Sequence, residues 1–462
     1  MKKSERDKPN VGVFESIIVV IAILFILGYL IIFLGQSPQV PLLISVVALM
    51  LYGIIRGFNW DEIVGAIEDG IKPGVIPLMI FLLIGVLIAT WIYSGTIPTI
   101  MYFGFKIISV KYFLPTVFIV CSLVGITCGS SFTTVSTMGI AFIGIGSALK
   151  INPGITAGAI ISGAYFGANV SPLSGTTNLA AGVGEIDVYE HIKSLIWTDL
   201  PVWIVTLIGY TFLGFSHKKV SLMKITVMTQ QLSNGFWISF WTILPIILLL
   251  VLAWLKVPAV PSLAFGSIFA VIIGWLHHPI KLNTLANYIM GGYVARTGSK
   301  TMDALLSKGG INSMLSSLAL IIFALSLGGL LIKFHIIGSL IDGLGRFVNT
   351  AGKLVLITTI TCIGVNFLVG EQYLSVILPG ESFKSSFDKM NLPRTRLTRT
   401  LNDAGAAVNS IIPWSVSGVF IQGALQVSPV KYIPYSFFPL FVPIFTVLAG
   451  FMLEHRTNKT LK

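Results

Sequence analysis

Runs of about twenty apolar residues recur along the chain, among them Phe14 to Leu34, Val75 to Tyr93, Leu195 to Phe215 and Leu354 to Val369. That is the length at which an α-helix crosses a hydrocarbon core of about 30 Å. Backbone polar groups have no water to turn to in lipid, so helices and closed barrels are the structures that span it, and runs this long read as helix. The fold class expected is therefore an all-α polytopic membrane protein with roughly ten to twelve crossings. Composition agrees: of 462 residues, 55% are hydrophobic and only 10% charged, where soluble domains carry about 25% charged residues. The first run is too long for the core of a signal peptide and no small-residue cleavage site follows it, so it stays as the first spanning helix.

A net charge of +12 points toward nucleic acid in a soluble protein. Here the Lys and Arg residues sit in tails and loops, where they report orientation, so the partner expected is the lipid bilayer and no nucleic acid. Lys2, Lys3, Arg6 and Lys8 place the N-terminus in the cytoplasm. Cys121, Cys128 and Cys362 lie in or beside apolar segments without metal-ligand spacing and read as packing residues. No cofactor is expected, and no metal beyond Na⁺. Trp60 to Lys72 reads as an amphipathic interfacial helix, with Ile63, Ile67 and Ile71 opposite the solvated acids Asp61, Glu62, Glu68 and Asp69.

One stretch breaks the apolar pattern. Residues 163–178, GAYFGANVSPLSGTTN, place Ser171, Ser174, Thr176, Thr177, Asn169 and Asn178 among three glycines and a proline, with uncharged apolar or small flanks. Such backbone is tolerated at membrane depth only where it is packed in protein or lines a water-filled cavity, and there its oxygens can meet an ion or polar solute. A second concentration, residues 127–134 (TCGSSFTT), brings Thr127, Ser130, Ser131 and Thr133 into apolar sequence. It reads either as a helix break with a site or as hydroxyls bonded back to the preceding turn.

The second half echoes the first. Pro38 to Pro41 is matched by Pro258 to Pro261 about 220 residues on, while the break at Gly129 faces Gly370 and Asn169 faces Asn409 at about 240, the difference falling in a polar insertion around Arg296 to Gly310. The organisation expected is a tail (1–13), a first repeat (14–215), a linker (216–235), a second repeat (236–453) and a second tail (454–462). The basic loop Glu381 to Arg399 belongs in the cytoplasm, whereas its first-half counterpart near Lys150 has one lysine, which argues for inverted repeats; Lys218, Lys219 and Lys224 in the linker argue against. The second half adds acids. Glu371 follows Gly370 at the end of an apolar run, and Asp403 lies in LNDAG (401–405) beside Asn402 and before Asn409. An ionisable group at depth costs on the order of 3 kcal/mol, so both are candidate ion and proton sites, unless they pair with Arg396 or Arg399 at an interface.

These motifs, with EQYLSVILPG (371–380), TRTLNDAG (398–405) and IPW (412–414), resemble NhaC-type sodium/proton antiporters, a group of the ion-transporter superfamily that includes malate/lactate exchangers. The resemblance covers nearly the whole chain. It implies inverted repeats with broken helices and re-entrant hairpins, and a multi-pass plasma-membrane antiporter coupled to Na⁺ and/or H⁺; a homodimer is compatible with it. One departure matters: the family pattern reads FGDK and SPLSDTTN, with two aspartates as the implied cation and proton ligands, and here those acids are replaced by Ala168 and Gly175, with Asn169 next to the first. Ser, Thr and Asn can coordinate Na⁺ but cannot carry a proton at neutral pH, so proton coupling is expected at Glu371 or Asp403. The alternative is an ion-coupled carrier of a small organic solute, a dicarboxylate, monocarboxylate or amino acid, in the space the missing carboxylates leave. A channel would be expected to show repeated filters or charged rings, and an enzyme a nucleophile or metal arrangement. Neither pattern is in the sequence.

Overall fold

The structure is a computed structural model that describes residues 11–34, 36–107, 110–215, 222–255 and 257–460. The basic tail Met1 to Asn10 and the linker residues Lys218 and Lys219 lie outside the described residues. Every regular element among the described residues is helical. By length and composition, six helices qualify to cross a bilayer: Val13–Ile31, Trp60–Tyr93, Val188–Phe215, Ala259–His277, Ile311–Lys333 and Ala351–Val369. Two bent pairs, Arg394–Ile411 with Val416–Leu425 and Pro429–Tyr435 with Phe437–Met452, raise the number to eight among the described residues if each pair is one broken span. The expectation of ten to twelve counts the run Val40 to Ile55 as a crossing, whereas Gln39–Ile55, at 17 residues, falls among the shorter apolar helices.

A second correction concerns Trp60–Ile71. A capping box between Asn59 and Glu62 starts this helix, and Asp61, Glu68 and Asp69 are exposed as expected. Its apolar face, however, lies on the Leu315–Lys333 helix rather than on lipid. Ile63 and Ala66 are buried, and Gly70 meets Gly329 so closely that a β-carbon on Gly70 would stand 2.7 Å from the Gly329 α-carbon. Small residues let backbones approach in this way where lipid supplies no hydrophobic drive between helices. The same device joins Phe113–Cys128 to Pro153–Asn169. A β-carbon on Gly167 would lie 2.7 Å from the Gly125 α-carbon and 2.7 Å from the Ile126 nitrogen.

Left-handed backbone residues recur at one spacing. Gly129 (φ 64°) is followed by Gly370 (74°), Lys150 (57°) by Asn391 (51°) and Glu185 (54°) by Gln426 (56°), in each case 241 positions on; His335 (57°) follows Gly95 (80°) one position short of that. These pairs take in all five non-glycine residues with positive φ among the described residues. Helix caps obey the same spacing: Ser130 and Glu371 each cap the helix after a left-handed glycine, and Ser174 and Ser415 each cap the helix after the second break. The equivalent turns contact each other's far neighbours. Gly154, after the Lys150 turn, packs on the main chain of Lys431, whereas Glu185 bonds Arg394, just after the Asn391 turn.

At that last contact Glu185 binds Lys384 and Arg394, each at 2.5 Å, and Arg394 reaches Asp388 at 3.0 Å. Hydrogen bonds from Lys384 and Arg394 hold the Glu185 carboxyl below its ordinary range, and a hydrogen bond from Arg394 does the same for Asp388. A carboxyl whose folded pKa is depressed contributes stability above its unfolded pKa and loses it as pH falls through the folded one. The thermal midpoint is therefore expected to fall on acidification below about pH 4, less steeply in Glu185→Gln, and by a small amount because the cluster is exposed. Melting curves in detergent between neutral and acid pH measure this; parallel slopes in the two proteins would remove the cluster from the acid response.

Candidate functional site

Both polar stretches are helix breaks, and they meet. Phe113–Cys128 ends at Gly129, whose left-handed backbone turns the chain; a side chain there would strike Leu173 of the other break at 2.6 Å. The Ser130 hydroxyl then accepts from the Thr133 amide at 3.1 Å and from the Thr133 hydroxyl at 3.0 Å, starting the next helix. At the other break Pro153–Asn169 stops, and the chain restarts at Ser174, which caps Gly175–Gly184. The carbonyls this break frees are satisfied internally. Thr177 donates to the carbonyls of Asn169 (2.9 Å) and Ala168 (3.1 Å), and Asn178 donates to those of Ser174 (2.7 Å) and Pro172 (2.8 Å).

Between the breaks lies a cavity of about 770 Å³. Of the candidate residues, Ser130, Ser131, Thr133, Asn169, Ser174, Thr176 and Asn178 line it, as do Ala168 and Gly175. Second-half residues close it at Gln372, Tyr373 and Ala406. Other candidates serve the backbone away from the cavity wall. Thr127 is exposed and donates to the Val124 carbonyl at 2.9 Å, Ser171 donates to Ile126 at 2.7 Å, and Thr177 is buried on its two carbonyls. Glu371 is buried as the cap of Gln372–Lys389, its Oε2 accepting the Leu374 amide at 2.9 Å. Asn409 belongs to a polar node. It donates to Asn366 Oδ1 at 2.7 Å and accepts from the Ser417 amide at 3.1 Å, while Asn366 donates to the Gly405 carbonyl at 2.7 Å and Ser375 donates to Asn366 at 2.9 Å.

Asp403 sits in a wide helical turn, Leu401–Ala406, in which the Ala407 amide reaches back five residues to the Asn402 carbonyl. Such turns admit an extra residue and re-aim side chains, and they concentrate at functional sites. Here the turn brings Asp403 beside an acid that the sequence reading passed over, Asp199 of Val188–Phe215. Both are fully buried. Thr198 donates to Asp403 Oδ2 at 3.1 Å and lies 3.4 Å from Asp199 Oδ1; Thr446 donates to Asp403 from the last helix; and Asn169, on the cavity wall, donates to Asp199 Oδ2 at 3.3 Å. Asp199 stands in the apolar run Leu195 to Phe215. The rule that singled out Glu371, an ionisable group inside an apolar run, applies to it equally.

Two buried carboxyls side by side do not both carry charge without a partner, because like charges repel strongly where water is scarce. One proton or one cation between them relieves the repulsion. A multi-pass helical protein with paired helix breaks, a polar cavity between them and such a pair one hydrogen bond behind its wall is a secondary antiporter. The chain belongs to the Na⁺/H⁺ antiporter family, whose model matches residues 163–452. It is 37% identical to the Na⁺/H⁺ antiporter NhaC of Alkalihalophilus pseudofirmus, over 91% of each chain. It is 39% identical to that of Bacillus subtilis, over 91% of this chain and 93% of the relative. To the malate-2H⁺/Na⁺-lactate antiporter of Bacillus subtilis it is 33% identical over 97% of each.

Proposed function

We propose that this protein exchanges Na⁺ for H⁺ across the plasma membrane by alternating access, with Asp199 and Asp403 as the shared seat of cation and proton. The observation that carries this reading is the buried Asp199–Asp403 pair, which Asn169 connects to the cavity. It supplies titratable oxygen close to where the first motif lacks both of its aspartates. Entering Na⁺, held first by the hydroxyl oxygens of Ser130, Ser174 and Thr176, displaces the proton from the pair; a proton from the other side later displaces Na⁺. Ser131, Thr133 and Asn178 complete the polar wall, and Glu371 orients the second-half break through its cap. The two repeats are inverted in this reading, residues 14–215 against 236–453, supported by the recurrent backbone spacing and by the crosswise contacts of the Lys150 and Asn391 turns.

A second reading, cotransport of a small organic solute, draws on the cavity volume of about 770 Å³, more than a bare ion needs. Everted vesicles separate the two. Addition of Na⁺ or Li⁺ alone is expected to collapse a preset acid-inside pH gradient. Collapse that requires malate, lactate or an amino acid in addition would favour the organic carrier.

A further inference from the structure

Fifteen buried side-chain polar atoms among the described residues lack a hydrogen-bond partner, and seven of them belong to four residues of one seam: both ring nitrogens of His191, Nε and Nη2 of Arg399, both amide atoms of Asn402, and Oδ1 of Asp403. The seam runs between Val188–Phe215 and the Arg394–Thr400 helix with its wide turn. It has a clear order. At the surface Glu185 binds Arg394; next along the two helices Ser194 donates to the Thr395 carbonyl at 3.2 Å; one turn beyond Ser194, the buried Thr198 bridges to Asp403. His191 lies on the same buried face as Leu195, Thr198 and Asp199, about 12 Å along the helix from Asp199 at 1.5 Å per residue. Arg399 lies one turn before Asp403, and its charge acts on His191, Asp403 and Asp199.

Buried polar groups in native proteins are hydrogen-bonded, and those without a protein partner are bridged by water. A run of such atoms from His191 through Arg399 and Asn402 to the carboxyl pair marks a hydrated path that is separate from the cavity. We infer that His191 is a proton-relay residue linking the Glu185–Arg394 face to the Asp199–Asp403 pair along this seam. One ring nitrogen takes a proton from water on the surface side, the other gives its own proton through water to Asp403, and the ring then exchanges tautomers. No proton is created or lost. Arg399 keeps its proton throughout. The other charged groups around His191 do not compete: Glu185, ending Gly175–Gly184, is tied to Lys384 and Arg394; Asp187, one turn before His191, is exposed and accepts the Tyr189 and Glu190 amides; Glu190 and Lys193 on its own helix are exposed; and Arg396, on the packed Arg394–Thr400 helix, is half-buried and carries positive charge like Arg399.

The inference rests on the Na⁺/H⁺ reading, and the experiment keeps the two apart. Purified protein in liposomes is assayed for Na⁺-driven proton release and for exchange of radiolabelled Na⁺ against Na⁺, which needs no proton step. Wild type without Na⁺-driven proton release refutes the reading itself. With wild type active, His191→Gln and His191→Asn are expected to lose proton release by about 10-fold or more while Na⁺/Na⁺ exchange stays within about twofold. Proton release unchanged in either variant, or both activities falling together in both variants, overturns the relay.

Discussion

In proteoliposomes, Asp199→Asn is expected to cut Na⁺-driven proton release by about 100-fold or more, and Glu371→Gln by less than tenfold. The amide keeps the volume of Asp199 and can still accept from Asn169, but it carries neither charge nor exchangeable acid proton. Asp403 then faces a neutral neighbour, and the competition of Na⁺ with H⁺ for one seat disappears. Glu371 is a different case. Its Oε2 accepts a main-chain amide of its own helix, and glutamine preserves an acceptor there. Sequence reasoning put proton coupling on Glu371 together with Asp403, so the pair of variants is decisive: an active Asp199→Asn beside a dead Glu371→Gln would return the proton to Glu371.

The largest expected effect on folding comes from Gly167→Val. Its added atoms meet the backbone of Gly125 and Ile126, and backbone cannot step aside as a flexible side chain can. The Phe113–Cys128 and Pro153–Asn169 helices lead into the two breaks that line the cavity, so separating them also moves Ser130 away from Asn169. Overpacking of this kind costs about 3 kcal/mol. The readout is a thermal midpoint in detergent by size-exclusion of the heated protein. Gly182→Ala, where nothing lies within 4 Å of a new β-carbon, should hold the midpoint or raise it slightly, since Ala favours helix over Gly. A similar midpoint for Gly167→Val and wild type would show that the crossing yields without cost.

The polytopic helical class and the two breaks were legible because lipid makes a strong demand on sequence: long apolar runs stand out, and small polar residues inside them stand out further. Ser130, Asn169 and Ser174 were found this way. Their division of labour was not legible. Thr176 and Thr177 are adjacent and chemically alike, yet helical geometry turns Thr176 to the cavity and Thr177 to the carbonyls of the preceding helix. Asp199 was missed because one acid in an otherwise apolar run is a weak local signal; its meaning comes from Asp403, which only the folded chain brings beside it. The wide turn at Leu401–Ala406 was hidden for a related reason, since an extra residue in a helical turn has no compositional mark.

The long separation between Thr198 and Asp403, 205 positions along the chain, bears on how the protein is made. Val188–Phe215 enters the bilayer while Asp403 and Thr446 have yet to be synthesised. Asn169, already in place, is the partner at hand for Asp199, and with it the newly inserted helix carries an acid worth on the order of 3 kcal/mol against insertion. The first half is thus provisional at birth. Its central acid finds its lasting company only when the Leu401–Ala406 turn arrives with Asp403, whose own partner Thr446 comes later still on the last helix, so a ribosome stalled before that point leaves a chain that is inserted but unfinished.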